Sequence, residues 1–218
     1  MENIGVYLSV LAIPLICYIL IYVIFSSYKK IIIKGNSGFE VARRILDDNN
    51  LDKMYIVEVR GILDDHYDMS QKVIRLSSSV FHGESVSAVS VSSFISSYAL
   101  LDDDTNTFMK IKKMLDPIIN FMTIVSYVLF LVSILGFGEI FALSMVFMIF
   151  VLIYHLAMIP LSLKLKETAL AELGKNDEYI KYKSNINTIL SVYIVADVAS
   201  IIFDVVNYII KLIKGARK

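Results

Sequence analysis

Residues 118–135 and 140–163 are two apolar runs without a single acidic or basic side chain other than His155, joined through Gly136-Phe137-Gly138. About 20 apolar residues at about 1.5 Å each cross a roughly 30 Å hydrocarbon layer, so each run is long enough to span one. In such a layer the backbone has no water to bond, and a helix satisfies its own peptide groups. The spacing therefore predicts a hairpin of two membrane-spanning helices. Its turn has no Lys or Arg, which suits the outer face of the membrane.

Composition agrees. The chain is 56% hydrophobic and 19% charged, with a mean hydropathy of +0.66, against about 45–50% apolar and about 25% charged for a soluble domain. Its 21 basic residues are offset by 21 acidic ones, which excludes the basic excess that nucleic-acid binding needs. One cysteine, Cys17, excludes a disulfide framework and thiolate-rich metal sites. The histidines are His66, His82 and His155.

Residues 4–25 read as a first span. A cleaved signal peptide fits poorly, since Glu2 stands where a basic stretch belongs and no A-x-A site follows. Lys29, Lys30 and Lys34 then place the following residues in the cytoplasm. Residues 164–186 are polar and cytoplasmic on the same argument. Residues 187–210 are a fourth apolar segment that either spans or lies in the interface. Tyr193, Asp197, Ser200, Asp204 and Asn207 share one of its helical faces. Asp197 and Asp204 would each cost about 2.5–3.5 kcal/mol in hydrocarbon. Packing against another subunit or the cytoplasmic domain is the first explanation, interfacial placement the second and an ion path the third.

Residues 35–116 carry both signs of charge and break the apolar pattern, as a small water-facing α+β module does. Val41, Ala42, Ile45 and Leu46 have helical spacing and run into Asp47-Asp48-Asn49-Asn50, a helix followed by a turn. Residues 55–59 alternate as a strand. Residues 61–77 look like turn chemistry (Asp64, Asp65, Asp68, Ser70) feeding a second strand at 72–76. Residues 84–101 hold no Pro or Gly and read as a buried helix rich in serine. The expected fold is a mainly α membrane protein with three to four transmembrane helices and this small cytoplasmic domain.

Four blocks carry a resemblance. Ala42-Arg43-Arg44-Ile45-Leu46 is similar to an A-R-x-I-L helix, and Gly61-Ile62-Leu63-Asp64-Asp65-His66-Tyr67-Asp68 to a G-x-L-x-D-H-Y-D block. Ile74-Arg75-Leu76-Ser77 and Ile159-Pro160-Leu161 follow in the same order. Together they resemble the YugP-like family of bacterial membrane zinc metallopeptidases over nearly the whole chain. The resemblance implies a zincin-like fold for 35–116 with its active-site helix at 84–101. Such a helix carries H-E-x-x-H, two histidines on one face to bind Zn²⁺ and a glutamate to take a proton from the bound water.

Here that motif falls on Phe94, Ile95, Ser96, Ser97 and Tyr98, and the family's third ligand falls on Ser162. A phenyl ring offers zinc no lone pair, a tyrosine protonated up to about pH 10 is a poor ligand, and isoleucine is no base. No zinc or other cofactor is expected. The resemblance with these departures implies a pseudo-peptidase in a bacterial cytoplasmic membrane, surrounded by lipid. It would serve as a binding, regulatory or scaffold subunit of a homo-oligomer or hetero-oligomer, paired with an active paralogous peptidase or another membrane protein. An active enzyme with relocated ligands and a structural oligomer without a peptidase partner are the alternatives.

Asp65, His66, Tyr67 and Asp68 are candidate retained residues, either fold-determining and partner-contacting or, for His66, chemical. His82-Gly83-Glu84 reads as a coincidental loop. His155 is either functional or a neutral imidazole bonded to a facing helix. The serines of 84–101 have no base beside them and read as small residues that permit close helix packing.

Overall fold

The computed structural model of the chain describes residues 16, 19–20, 22–60, 65–103, 105–135 and 140–195. Most of the first apolar segment, the turn at 136–139, and Asp197 and Asp204 with the basic tail lie outside the described residues. The chain is mainly helical, with one small sheet. It divides into two compact units: 114–159 with the described ends of the chain, and 22–113 with 160–193.

The second unit contains the α+β module. Helix α1, Gly38–Asp48, starts in a complete capping box: the Ser37 hydroxyl accepts from the Glu40 amide, and the Glu40 carboxylate accepts from the Ser37 amide. It stops where the Asx cluster predicts, at Asn49, with Asn50 in the left-handed region at φ 59°. Strands β1 (Tyr55–Val59), β2 (His66–Asp68) and β3 (Val73–Ser77) form a sheet of order β1-β3-β2. β1 runs parallel to β3, with Ile56 beside Ile74, and β2 runs antiparallel to it, with Tyr67 beside Ile74. The strand expected at 72–76 is β3, one residue further on; ahead of it, where turn chemistry alone is expected, the chain forms β2. Residues 69–72 form a turn, with Lys72 at φ 54°, and residues 61–64 lie outside the described residues. Three residues are too few for alternation to register as a strand.

Short α2, Ser78–Phe81, leads through Gly83 into α3, Val86–Leu101, which the Ser85 hydroxyl caps by accepting from the Ala88 amide. α3 is buried on nearly every face, as its serine-rich, uncharged sequence predicts. It packs on α1 so closely that the Ser92 hydroxyl donates to the Gly38 carbonyl. Gly38 itself is needed: a Cβ there would sit 2.2 Å from the Val80 carbonyl oxygen. Ile74 and Leu76 of β3 are fully buried in the same core.

Two long helices follow. α4, Thr107–Ile134, starts well before the apolar run, and α5, Ile140–Gly174, continues well past it. The polar segment at 164–186 is therefore helical to Gly174, then short α6 (Asp177–Ile180); residues 183–195 are helical again. In the first unit, α4 and α5 meet at Phe130 and Phe141, the Ser144 hydroxyl donates to the Ser126 carbonyl at 2.8 Å, and Tyr154 donates to Asp116. Both helices are long and apolar enough to cross a membrane. Their outer faces leave Phe121, Ile124, Leu131, Phe150 and Ile153 about half exposed or more. So large an uncovered apolar surface calls for lipid or protein against it.

Candidate functional site

The helix expected to carry the motif is α3. Phe94 and Tyr98 stand one turn apart and touch edge to face, their ring centroids 5.7 Å apart. The Lys112 ammonium lies 5.8 Å from the centre of the Tyr98 ring. Phe94 is 8% exposed and Ile95 6%. Ser162 is half-buried on α5.

Zinc wants nitrogen, sulfur or carboxylate donors converging tetrahedrally. Phe94 and Ile95 supply none. The serine hydroxyls between and above them turn back on the helix: Ser90 donates to the Val86 carbonyl, Ser93 to Ser90, Ser96 to Ser92 and Ser97 to Ser93. Such back-bonding satisfies the hydroxyls and leaves no aimed nucleophile. Among the described residues no three His, Cys, Asp or Glu side chains could hold a metal ion. The residues at these positions do not fit zinc.

The Asp65–Asp68 block is held by alternation along and just before β2. Asp65 accepts from the Ser77 amide at 2.7 Å and from the Ser77 hydroxyl, which ties the entry of β2 to the end of β3. Tyr67 points inward and donates to Asp102 at 2.7 Å, at the end of α3. Burial, then the Asp102 bond and charge, pushes the Tyr67 hydroxyl well above its ordinary pKa. Asp68 accepts from the Gln71 and Ser70 amides at 2.9 and 3.0 Å and meets Arg75 at 3.4 Å. The Gln71 amide, followed by Ser70 and Arg75, holds its carboxyl below the usual range. His66 is exposed opposite Arg75 on the edge strand. Asp65, Tyr67 and Asp68 are thereby each bonded within the module.

The Ala42–Leu46 block has a similar use, which the sequence does not reveal. Arg43 donates to the Leu51 and Met54 carbonyls and pairs with Asp47. Arg44 donates to the Tyr179 hydroxyl at 2.8 Å and to Asn36, with its guanidinium 5.0 Å from the centre of the Tyr179 ring. Tyr179 donates in turn to Asn36 at 2.5 Å, and the Asn36 amide donates to Glu178 at 2.8 Å. Burial raises the Tyr179 hydroxyl's pKa, opposed by Arg44. No local pattern in the sequence marks Asn36, Tyr179 or Asp102, because their partners lie far away along the chain.

His82 and Glu84 diverge. His82 lies 3.2 Å from Glu58, and the Glu84 carboxylate accepts from the Gly35 amide. The Ser78 hydroxyl, then His82, lowers the Glu58 pKa. His155 donates through Nδ1 to the Val151 carbonyl of its own helix at 2.8 Å.

No solved structure matches the chain. The chain is 30% identical over 203 residues to "Putative membrane protease YugP" of Bacillus subtilis (strain 168), a match covering 88% of each protein. Residues 4–214 match the family described as "Putative neutral zinc metallopeptidase". With nearly the whole chain inside that match, this membrane protein belongs to the neutral zinc metallopeptidase family.

Proposed function

We propose that this chain is a non-catalytic member of its family, kept as a membrane-embedded binding or regulatory subunit. One observation carries the reading: of the residues on which the resemblance puts the family motif, Phe94 and Tyr98 touch edge to face, Ile95 is buried, and the intervening serine hydroxyls bond to the helix itself. Packed apolar volume in place of ligands favours a closed core over a cavity. The blocks outside that stretch keep structural uses, which is what continued selection on fold or binding would leave.

In this reading three or four helices cross a bacterial cytoplasmic membrane, and the α+β module faces the cytoplasm. Lys29, Lys30, Lys164 and Lys166, at the polar ends of the apolar segments, support that orientation. The partner in a hetero-oligomer is a family member with an intact H-E-x-x-H.

The test uses the full chain in mild detergent, with zinc measured by elemental analysis beside cleavage of an unfolded reporter protein. We expect substoichiometric zinc and no chelator-sensitive cleavage. Stoichiometric zinc with cleavage abolished by chelator would overturn the reading. Recovery of an intact family member with the tagged chain supports the hetero-oligomer, whereas recovery of the chain alone favours a homo-oligomeric scaffold.

A further inference from the structure

Among the described residues both outer strands of the sheet, β1 and β2, pair on one side only, and β1 is the longer of the two. β1 pairs with β3 on one side only, and among the described residues nothing pairs with its other side. Tyr55 is 74% exposed and Val57 40%, and the strand, Tyr-Ile-Val-Glu-Val, is of high β-propensity. Natural edges are guarded by proline, lysine, a bulge or a covering element, because an open apolar edge recruits another strand. β1 contains no proline or lysine, and its one charge, Glu58, is engaged by Ser78 and His82.

Two of the exposed charges just beyond the strand are symmetric about Ile56, the residue before its middle. Asp52 lies four positions before Ile56 and Arg60 four after it. Both are exposed, and among the described residues neither forms an ion pair.

We infer that β1 is a self-association strand, pairing antiparallel with β1 of a second copy about a twofold axis through Ile56. In that register each Tyr55 stands opposite Val57 of the other copy, an aromatic against a β-branched side chain, and Ile56 meets its own copy. Asp52 of each chain comes to the same end as Arg60 of the other. Any other strand of this length would have to supply the same complementarity, whereas a second copy supplies it by symmetry. The two three-stranded sheets become one continuous sheet. The inference does not rest on the loss of zinc chemistry, and an active enzyme could dimerise in this way too.

Two measurements on the detergent-solubilised full chain test it. The first is the dimer dissociation constant from sedimentation or native mass spectrometry. Asp52→Arg places like charges at both ends of the pairing and should weaken the dimer about tenfold. Arg60→Asp should do the same, and the double variant should restore it. All the changes are at exposed positions, and circular dichroism confirms folding.

The second is crosslinking with a short bis-maleimide. Ile56→Cys should crosslink to itself. Val59→Cys, about 20 Å from its copy in this register, should stay at the level of the parent chain, which retains Cys17. A monomeric chain, a dimer indifferent to both charge reversals, failure of Ile56→Cys to crosslink, or a different protein found on this strand would each overturn the inference.

Discussion

The hydroxyl of Tyr67, on the edge strand β2, donates a 2.7 Å hydrogen bond to the carboxylate of Asp102 at the end of α3. This contact joins the most recognisable block of the sequence to the helix where catalysis would be sought. Both residues serve the fold at that point: one buries its ring, and the other stands at the C-cap position of the helix that carries Phe94 and Tyr98.

Tyr67→Phe should cost about 1.5–2 kcal/mol, the range of a hydrogen bond to a charged acceptor, measured as a lower thermal midpoint in detergent. The pH dependence has a definite sign. The folded pKa of Tyr67 is raised, so its contribution is complete below the ordinary tyrosine value of about 10 and is lost as pH rises beyond it. Urea unfolding at about pH 8 and about pH 10.5 should show a smaller alkaline loss for Tyr67→Phe than for the parent. An equal loss would mean that another group is responsible.

Gly38 and Gly174 make opposite predictions for the same substitution. A Cβ at Gly38 meets the Val80 carbonyl oxygen at 2.2 Å, whereas one at Gly174 meets nothing within 4 Å. Gly38→Ala should destabilise by about 2–3 kcal/mol through backbone displacement between α1 and α2. Gly174→Ala should be neutral or gain up to about 1 kcal/mol from helix propensity. Thermal midpoints of the two variants decide it, and equal shifts would sink the packing argument.

Arg44 and Tyr179 hold α6 to α1 through Asn36. Arg44→Ala takes the donor from the buried Tyr179 hydroxyl oxygen and leaves Asn36 Oδ1 to Tyr179 alone; it should cost about 2–3 kcal/mol, more than Tyr179→Phe at about 1 kcal/mol. A double-mutant cycle should give a coupling of about 1 kcal/mol. Limited proteolysis between Lys175 and Lys183 should quicken in both variants. Unchanged cleavage there would show that other contacts suffice.

Rebuilding the motif is the strongest challenge to the repacked helix. Phe94→His, Ile95→Glu, Tyr98→His and Ser162→Glu together restore the ligand types. The introduced carboxylate would, however, replace the Ile95 side chain at a site now 6% exposed, where an unpaired charge is costly. We expect no stoichiometric zinc by elemental analysis and a lowered thermal midpoint. Tight zinc binding would show that the pocket had survived the loss of its ligands.

Much of the module is legible along the chain. The Val41–Leu46 spacing with its Asx stop, the alternation at 55–59 and the uncharged serine run at 86–101 each mark an element, because each is a periodic pattern with its own ends. The three residues of β2 show no such pattern. They become a strand only because β3 offers a ladder and the core accepts Tyr67. The continuation of α5 to Gly174 shows the same limit: charge marks where hydrocarbon ends, not where a helix ends.

The sequence by itself determined the class of solvent, the order of the elements and the absence of histidines from 84–101, since hydropathy, periodicity and residue identity are local properties. Tertiary structure alone decided that Arg44 meets Tyr179, that Tyr67 meets Asp102 and that, among the described residues, β1 is left unpaired on one side. Those contacts join residues separated by up to 135 positions or concern what remains uncovered. Partners at such distances are chosen by packing the whole chain, and no stretch of sequence encodes that choice on its own.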